Sequence, residues 1–218
     1  MSRGSTLTTT SFAILGLLAV RPWSSYELIR QMDRSLGRIW PRAQSKLYEE
    51  PKKLVEHGLA AATTERVGRR ARTVYSVTPA GRAALAAWLE SPGSGPVLES
   101  EQLLKLSFAD HGTKQAALAT IAGAREWATE RNVENLAAAR AYQAGEGPFQ
   151  HRAAQNLVVG AFLTDFYALV ARWAEWAQRQ VEQWPDDPAQ AVPDPVAQAE
   201  VTERAAWSAD APAAESAS

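Results

Sequence analysis

The chain has 218 residues, 46% of them apolar and 22% charged, which suits one large or two small domains and excludes a disordered chain. It contains no cysteine, so disulfides, thiolate catalysis and cysteine-ligated zinc are excluded. The net charge of −1 hides an asymmetry: residues 1–90 hold 14 Lys/Arg against 7 Asp/Glu, and residues 91–218 hold 9 against 17, so only the first part suits a polyanionic partner.

Residues 7–20 read as a helix, with Leu7, Ile14, Leu15, Leu17 and Leu18 recurring at helical spacing. The longest apolar run, Ser11 to Val20, is far short of a membrane span, and the Thr/Ser-rich start carries no secretion signal. A cytoplasmic protein without membrane contact is expected. Arg21-Pro22 ends the helix, and Ser24 or Ser25 caps a second one carrying Tyr26, Leu28, Ile29 and Met32. After the Trp40-Pro41 turn, a third helix runs from about Arg42–Ser45 to His57, with Gly58 as its C-terminal stop. Two strands follow, Leu59–Val67 and Thr73–Val77, around a Gly68-Arg69-Arg70-Ala71-Arg72 tip. Thr78 caps a fourth helix with Pro79 in its first position.

Ser91 to Pro96 is a turn-rich stretch, and the rest reads as helical. Helices are expected over 99–109, 113–143 and 149–184. The last has two adjacent apolar stripes, one with Val158, Phe162, Phe166, Leu169, Trp173 and Trp176. So wide a face calls for a second subunit. From Pro185 the composition predicts a disordered tail. The expected layout is a DNA-binding domain over 1–91, a linker over 92–98, a helical dimerisation and effector domain over 99–184, and a tail over 185–218.

Three helices, a two-stranded ribbon with an arginine-rich tip and a further helix make up the order of a winged helix-turn-helix. A helix fits the major groove and reaches base edges, while ribbon guanidinium groups pair with phosphates. The third helix offers Arg42, Gln44, Ser45, Lys46, Tyr48, Lys52 and Lys53, and the ribbon offers Arg66, Arg69, Arg70 and Arg72. The alternative for the ribbon is a solvated charged hairpin. Trp127, Phe162, Phe166, Trp173 and Trp176 supply aromatic surface for a dimer core, an effector pocket, or both. An enzyme is not expected. His57, His111 and His151 are scattered, and no HExxH, glycine-rich phosphate loop or nucleophile elbow occurs, so neither metal nor cofactor is expected.

Leu15-Gly16-Leu17-Leu18, Ser25-Tyr26-Glu27-Leu28, Trp40-Pro41, Ser45-Lys46-Leu47-Tyr48, Leu54 to Leu59 and Tyr75-Ser76-Val77-Thr78-Pro79-Ala80-Gly81 occur in this order. Together they resemble the winged-helix domain of PadR-family transcription regulators over about residues 7–90. Leu98 to Trp176 resembles, more loosely, the virulence-activator-like C-terminal domain of one subgroup. The resemblance implies a mainly α fold with a small β wing and a helical dimerisation domain. It also implies a homodimer on double-stranded DNA with a palindromic operator, and repression released by small aromatic or apolar molecules. By position it makes Tyr26, Ser45, Lys46, Tyr48 and the ribbon arginines DNA contacts, with Tyr26 and Tyr48 as core residues the alternative. The competing functions are a winged-helix protein-interaction module and a transcriptional activator. Two residues depart from the family pattern: Ser25 stands where Gly is usual, and Glu49-Glu50-Pro51 follows Tyr48. Pro51 is expected to interrupt the helix's hydrogen bonding, and Glu49 and Glu50 either to point away from DNA or to read a cytosine amine.

Overall fold

A computed structural model of the chain describes residues 6–67 and 70–208. It divides into two units, Met1–Pro96 and Val97–Ser218. The division falls inside the segment read as a linker.

The first unit is organised by side-chain caps. Thr8 accepts the backbone N–H of Ser11, and the Ser11 hydroxyl accepts that of Thr8, closing a capping box at the start of α1 (Thr9–Val20). A short strand β1 (Trp23–Ser24) leads into α2 (Ser25–Leu36), where Ser24 and Glu27 form a second box. Ser25 sits in the first helical turn, where a side chain is tolerated as easily as glycine. Helix α3 (Gln44–Glu56) continues through Pro51, which is buried against the core. Its end is a Schellman turn: Gly58 takes φ +70°, its N–H donates to the Val55 carbonyl, and the Leu59 N–H donates to the Leu54 carbonyl.

Strands β2 (Ala60–Val67) and β3 (Arg70–Val77) pair antiparallel, with Ala60 opposite Val77 and Val67 opposite Arg70. The expected two-stranded ribbon gains a third member, because Trp23 and Ser24 of β1 pair with Tyr75 and Val74 of β3. The sheet order is β1-β3-β2. Thr78 then caps α4 (Pro79–Leu89), and its hydroxyl donates to the Gly58 carbonyl at 2.8 Å. Gly81 is required here, since a Cβ would overlap the Leu59 carbonyl oxygen. Phe12 stacks on Trp88 at 5.2 Å and seats α4 on α1. The core holds Ile14, Leu15, Leu18, Leu28, Met32 and Leu54, all fully buried, each stabilising the unit by about 1.5–3 kcal/mol.

The second unit contains α5 (Glu101–Leu106), shorter than expected, then α6 (Lys114–Gln143) and α7 (Ala153–Glu182). The two long helices form an antiparallel hairpin. Lys114 Nζ donates to the Glu182 and Trp184 carbonyls at one end, Asn135 Nδ2 donates to Thr164 Oγ1 in the middle, and Asn156 Nδ2 donates to the Tyr142 hydroxyl at the other. The contact is lined by small residues, with Ala117, Ala124, Ala128, Ala174 and Ala177 buried beside Ile121, Tyr167 and Val181. Residues 150–182 are long and apolar enough to cross a membrane, a property the reading from uninterrupted apolar runs passed over. Within this fold α7 is one arm of a bundle, joined to α6 by buried alanines, the Asn135–Thr164 bond and an Arg125–Glu175 ion pair at 3.0 Å.

The expectation of a disordered tail from Pro185 is corrected as far as Ser208. Asp187 and Asp194 each cap a helical segment that has proline in its first turn, the second being α8 (Pro195–Ala205). Pro188 and Ala197 are buried, and Trp176 Nε1 donates to Glu200 at 3.0 Å beneath the Arg204 guanidinium. These contacts supply the ordering that composition alone did not forecast. Residues 209–218 of that stretch lie outside the described residues.

Candidate nucleic-acid interface

Helix α3 buries Leu47, Glu50, Pro51 and Leu54, which turns Gln44, Ser45, Lys46, Tyr48, Glu49 and Lys52 outward. Tyr48 is 43% exposed and Tyr26 63%, so neither is a core residue. The start of α3 differs from those of α1, α2, α4, α5 and α6, which Thr or Ser side chains cap. At α3 the preceding residue is Ala43, and no side chain caps the first turn. The exposed N–H groups and the positive end of the helix dipole form a surface that attracts phosphate oxygens. Arg42 stands beside it, stacked 4.1 Å over the Trp40 ring and donating to the Pro41 carbonyl.

Of the acidic residues of α3, Glu50 points away from the outer face and Glu49 does not. Glu49 is exposed and pairs with Lys52 at 2.9 Å. This pairing holds the Lys52 pKa above its ordinary value. Glu50 is buried, accepting from the Ser11 hydroxyl at 2.6 Å and from Lys53 Nζ at 3.2 Å. Glu50 therefore faces the core rather than solvent or a base, and Lys53 is engaged with it.

On the ribbon, Arg66 is exposed. Arg72 lies across from Glu65, with its Nη2 at 2.9 Å, and reaches toward Glu27 at 3.8 Å. Hydrogen bonds from the Ser24 hydroxyl and N–H, then the Arg72 and Arg21 charges, hold the Glu27 carboxyl below its ordinary pKa. Arg72 thus ties the ribbon to α2. Arg69 lies outside the described residues, and only the backbone of Arg70 is described.

Sequence reasoning missed Arg30. It lies one turn after Tyr26 on the exposed side of α2, donating to the Tyr26 hydroxyl at 3.3 Å with its guanidinium 5.7 Å from the ring. The i, i+4 spacing carried the signal. Tyr26 and Arg30 together present a phenol and a cation, both groups that bind phosphate.

In the second unit, Trp127 packs edge-on to Phe166 at 6.2 Å and to Tyr167 at 5.8 Å, and Phe162 stacks along Phe166 at 6.4 Å. Trp173 and Trp176 are half-buried against the chain's own Ala117–Ile121–Ala174–Ala177–Val181 cluster. Outward apolar surface lies instead on α7 from Leu157 to Leu169, at Leu157, Val158, Phe162 and Leu169, with Val133 and Leu136 of α6. Among the described residues no group of three or more His, Asp or Glu is placed to hold a metal ion.

Residues 14–87 match the profile of the Transcriptional regulator PadR-like family. The chain is 36% identical over 81 residues to a probable transcriptional regulator of Mycobacterium tuberculosis, a match covering 37% of this chain and 43% of that protein. It is 31% identical over 108 residues to the negative transcriptional regulator PadR of Bacillus subtilis, covering 49% of this chain and 59% of that one. The chain thus spans about half the length of these two relatives. Its fold resembles that of Bacillus subtilis PadR solved with operator DNA, with a TM-score of 0.65 at 22% identity over 80% of this chain and 99% of that one. The same protein solved with p-coumaric acid gives a TM-score of 0.63 at 21% identity over 82% of this chain and 99% of that one. At these identities the structural likeness concerns the fold. Over residues 14–87, in its first unit, the chain is thus similar to the PadR-like family of transcriptional regulators.

Proposed function

We propose that this chain is a sequence-specific, double-stranded-DNA-binding transcription regulator acting as a homodimer in the cytoplasm. The observation that carries the reading is the opening of α3: an uncapped first turn with Gln44, Ser45, Lys46 and Tyr48 exposed, and Arg42 at its entry. In this reading α3 enters the major groove, while Tyr26, Arg30 and the ribbon, with Arg66, Arg69 and Arg70, meet the backbone. Lys52 approaches phosphate only by sharing its charge with Glu49, and Arg72 chiefly orients the ribbon.

Two copies joined through the exposed α7 face present two α3 helices, which calls for a two-fold symmetric operator. Repression is the outcome favoured by the similarity to a negative regulator. A small aromatic effector acting on the second unit is favoured by the p-coumaric acid bound to Bacillus subtilis PadR and by the Trp127–Phe166–Phe162 array. It shifts the dimer only if it binds the DNA-incompetent arrangement more tightly.

The test is selection of duplexes from a random pool, followed by affinity measurements across a salt series. The expected result is a two-fold symmetric site whose affinity falls about a thousandfold or more between about 50 and 200 mM salt. Retention of a protein partner with no duplex binding at low salt would overturn the reading.

A further inference from the structure

The Thr/Ser-rich entry to α1 does more than cap that helix. Ser11 is fully buried, and its hydroxyl accepts the Thr8 N–H at 2.9 Å while donating to Glu50 at 2.6 Å. The other Glu50 oxygen accepts from Lys53 at 3.2 Å, so each carboxylate oxygen has a donor. One residue earlier, the Thr10 hydroxyl accepts the Trp40 indole N–H at 3.1 Å. Trp40 in turn carries the Arg42 guanidinium 4.1 Å above its ring. Adjacent hydroxyls of α1 therefore hold α3 at two places, the turn before it and its middle.

Two such bonds fix what apolar packing leaves loose. Leu47 and Leu54 anchor α3 in the core, but such contacts are non-directional and tolerate small rolls about the helix axis. A side chain extending about 5–6 Å from that axis swings by about 1 Å for each 10° of roll. A bidentate contact to a base does not survive a shift of that size. A short charge-assisted bond from a buried hydroxyl is directional, and moving Glu50, with Lys53 carried along on the same helix, would leave the carboxylate oxygen that faces Ser11 without its donor at a buried site.

We infer that Thr10 and Ser11 of α1, acting on Trp40 and Glu50, are the positioning residues of the candidate interface, setting the roll and entry of α3 without touching DNA. This inference rests on the DNA-binding reading for its consequence, but the clamp itself can be read in the DNA-free protein.

The test uses full-length Ser11→Ala, Thr10→Val, Glu50→Leu and Glu50→Gln proteins, each checked for folding by thermal melting. Two quantities are measured: amide hydrogen exchange over residues 44–56 without DNA, and the affinity ratio between the selected duplex and a scrambled one at fixed salt. Ser11→Ala and Glu50→Leu are expected to speed exchange in α3 and to lower the ratio about tenfold or more. Glu50→Gln keeps a carbonyl acceptor for Ser11 and is expected to rescue both readouts, which a general loss of stability would not do. Should Ser11→Ala fail to fold, Thr10→Val carries the test, with faster exchange at residues 40–46 and a lowered ratio. Unchanged exchange in folded Ser11→Ala or Thr10→Val overturns the clamp. An unchanged affinity ratio alongside faster exchange overturns its positioning role. A wild-type protein that prefers no duplex overturns the DNA-binding reading instead, while exchange still reports on the clamp.

Discussion

The two units place their large apolar side chains in opposite ways. The first keeps Ile14, Leu15, Leu18, Leu28, Met32 and Leu54 inside and, Glu50 apart, turns its charged groups outward. The second fills the contact between α6 and α7 largely with alanines and leaves Val133, Leu157, Val158, Phe162 and Leu169 exposed. Alanine lets the helix axes approach closely, but each buries little apolar area. The first unit has the interior of a self-sufficient domain. The second has a thin interior and leaves an apolar outer surface, the surface assigned to the second subunit in the proposed homodimer.

The sharpest way to break this comparison is a Val158→Glu, Phe162→Glu double variant. If that surface joins two subunits, the dimer dissociation constant should rise about a thousandfold, about 4 kcal/mol, in sedimentation equilibrium. An unchanged constant would remove the first half of α7 from the interface. Trp173→Ala comes next. Because Trp173 packs against its own chain's cluster, the expected effect is a loss of about 3 kcal/mol in the stability of the second unit, read by denaturant melts. A change in dimerisation without a change in unfolding would return Trp173 to the interface.

Arg66→Ala probes the first unit. It should weaken binding to every duplex by about 1–2 kcal/mol and lower the slope of log affinity against log salt by about 1. Discrimination lost without a change of slope would make Arg66 a base reader. The smallest effect concerns Glu27, whose folded-state pKa is depressed, so its stabilisation is complete above the usual carboxylate range and is lost as pH falls through the folded value. Glu27→Gln should therefore flatten the acid side of the first unit's stability profile, with a difference near neutral pH of about 0.5 kcal/mol for so solvent-accessible a group. Parallel profiles for the two proteins would refute this.

Local chemistry made much of the first unit legible. The cap of α2 at Ser24 or Ser25, Thr78 with Pro79, and Gly58 behind α3 are short-range signals; the structure makes Ser24 the cap, and the other two sit where they were read. Strand β1 escaped notice because two residues show no periodicity, and its pairing with Tyr75 is a long-range event. That Glu50 points away from solvent into the core went unread for the same reason, since its partner Ser11 is remote in sequence. The C-terminal segment did carry a readable signal: Asp187-Pro188 and Asp194-Pro195 each place a capping carboxylate before a first-turn proline. Bulk composition outweighed that cue. For Trp173 and Trp176, a helical stripe shows that a face is apolar but not which neighbour covers it.

Helix α3 holds three lysines and three glutamates, and two of each are joined in ion pairs within one turn. In the proposed reading, the helix that discriminates among sequences is thus nearly neutral, as is α2 with two arginines against Glu27 and Asp33, and the pull on a polyanion comes chiefly from the ribbon, where four arginines face Glu65. If capture and choice lie on separate elements in this way, counterions weaken the first far more than the second. A regulator built this way can leave wrong sites quickly while holding the right one by shape.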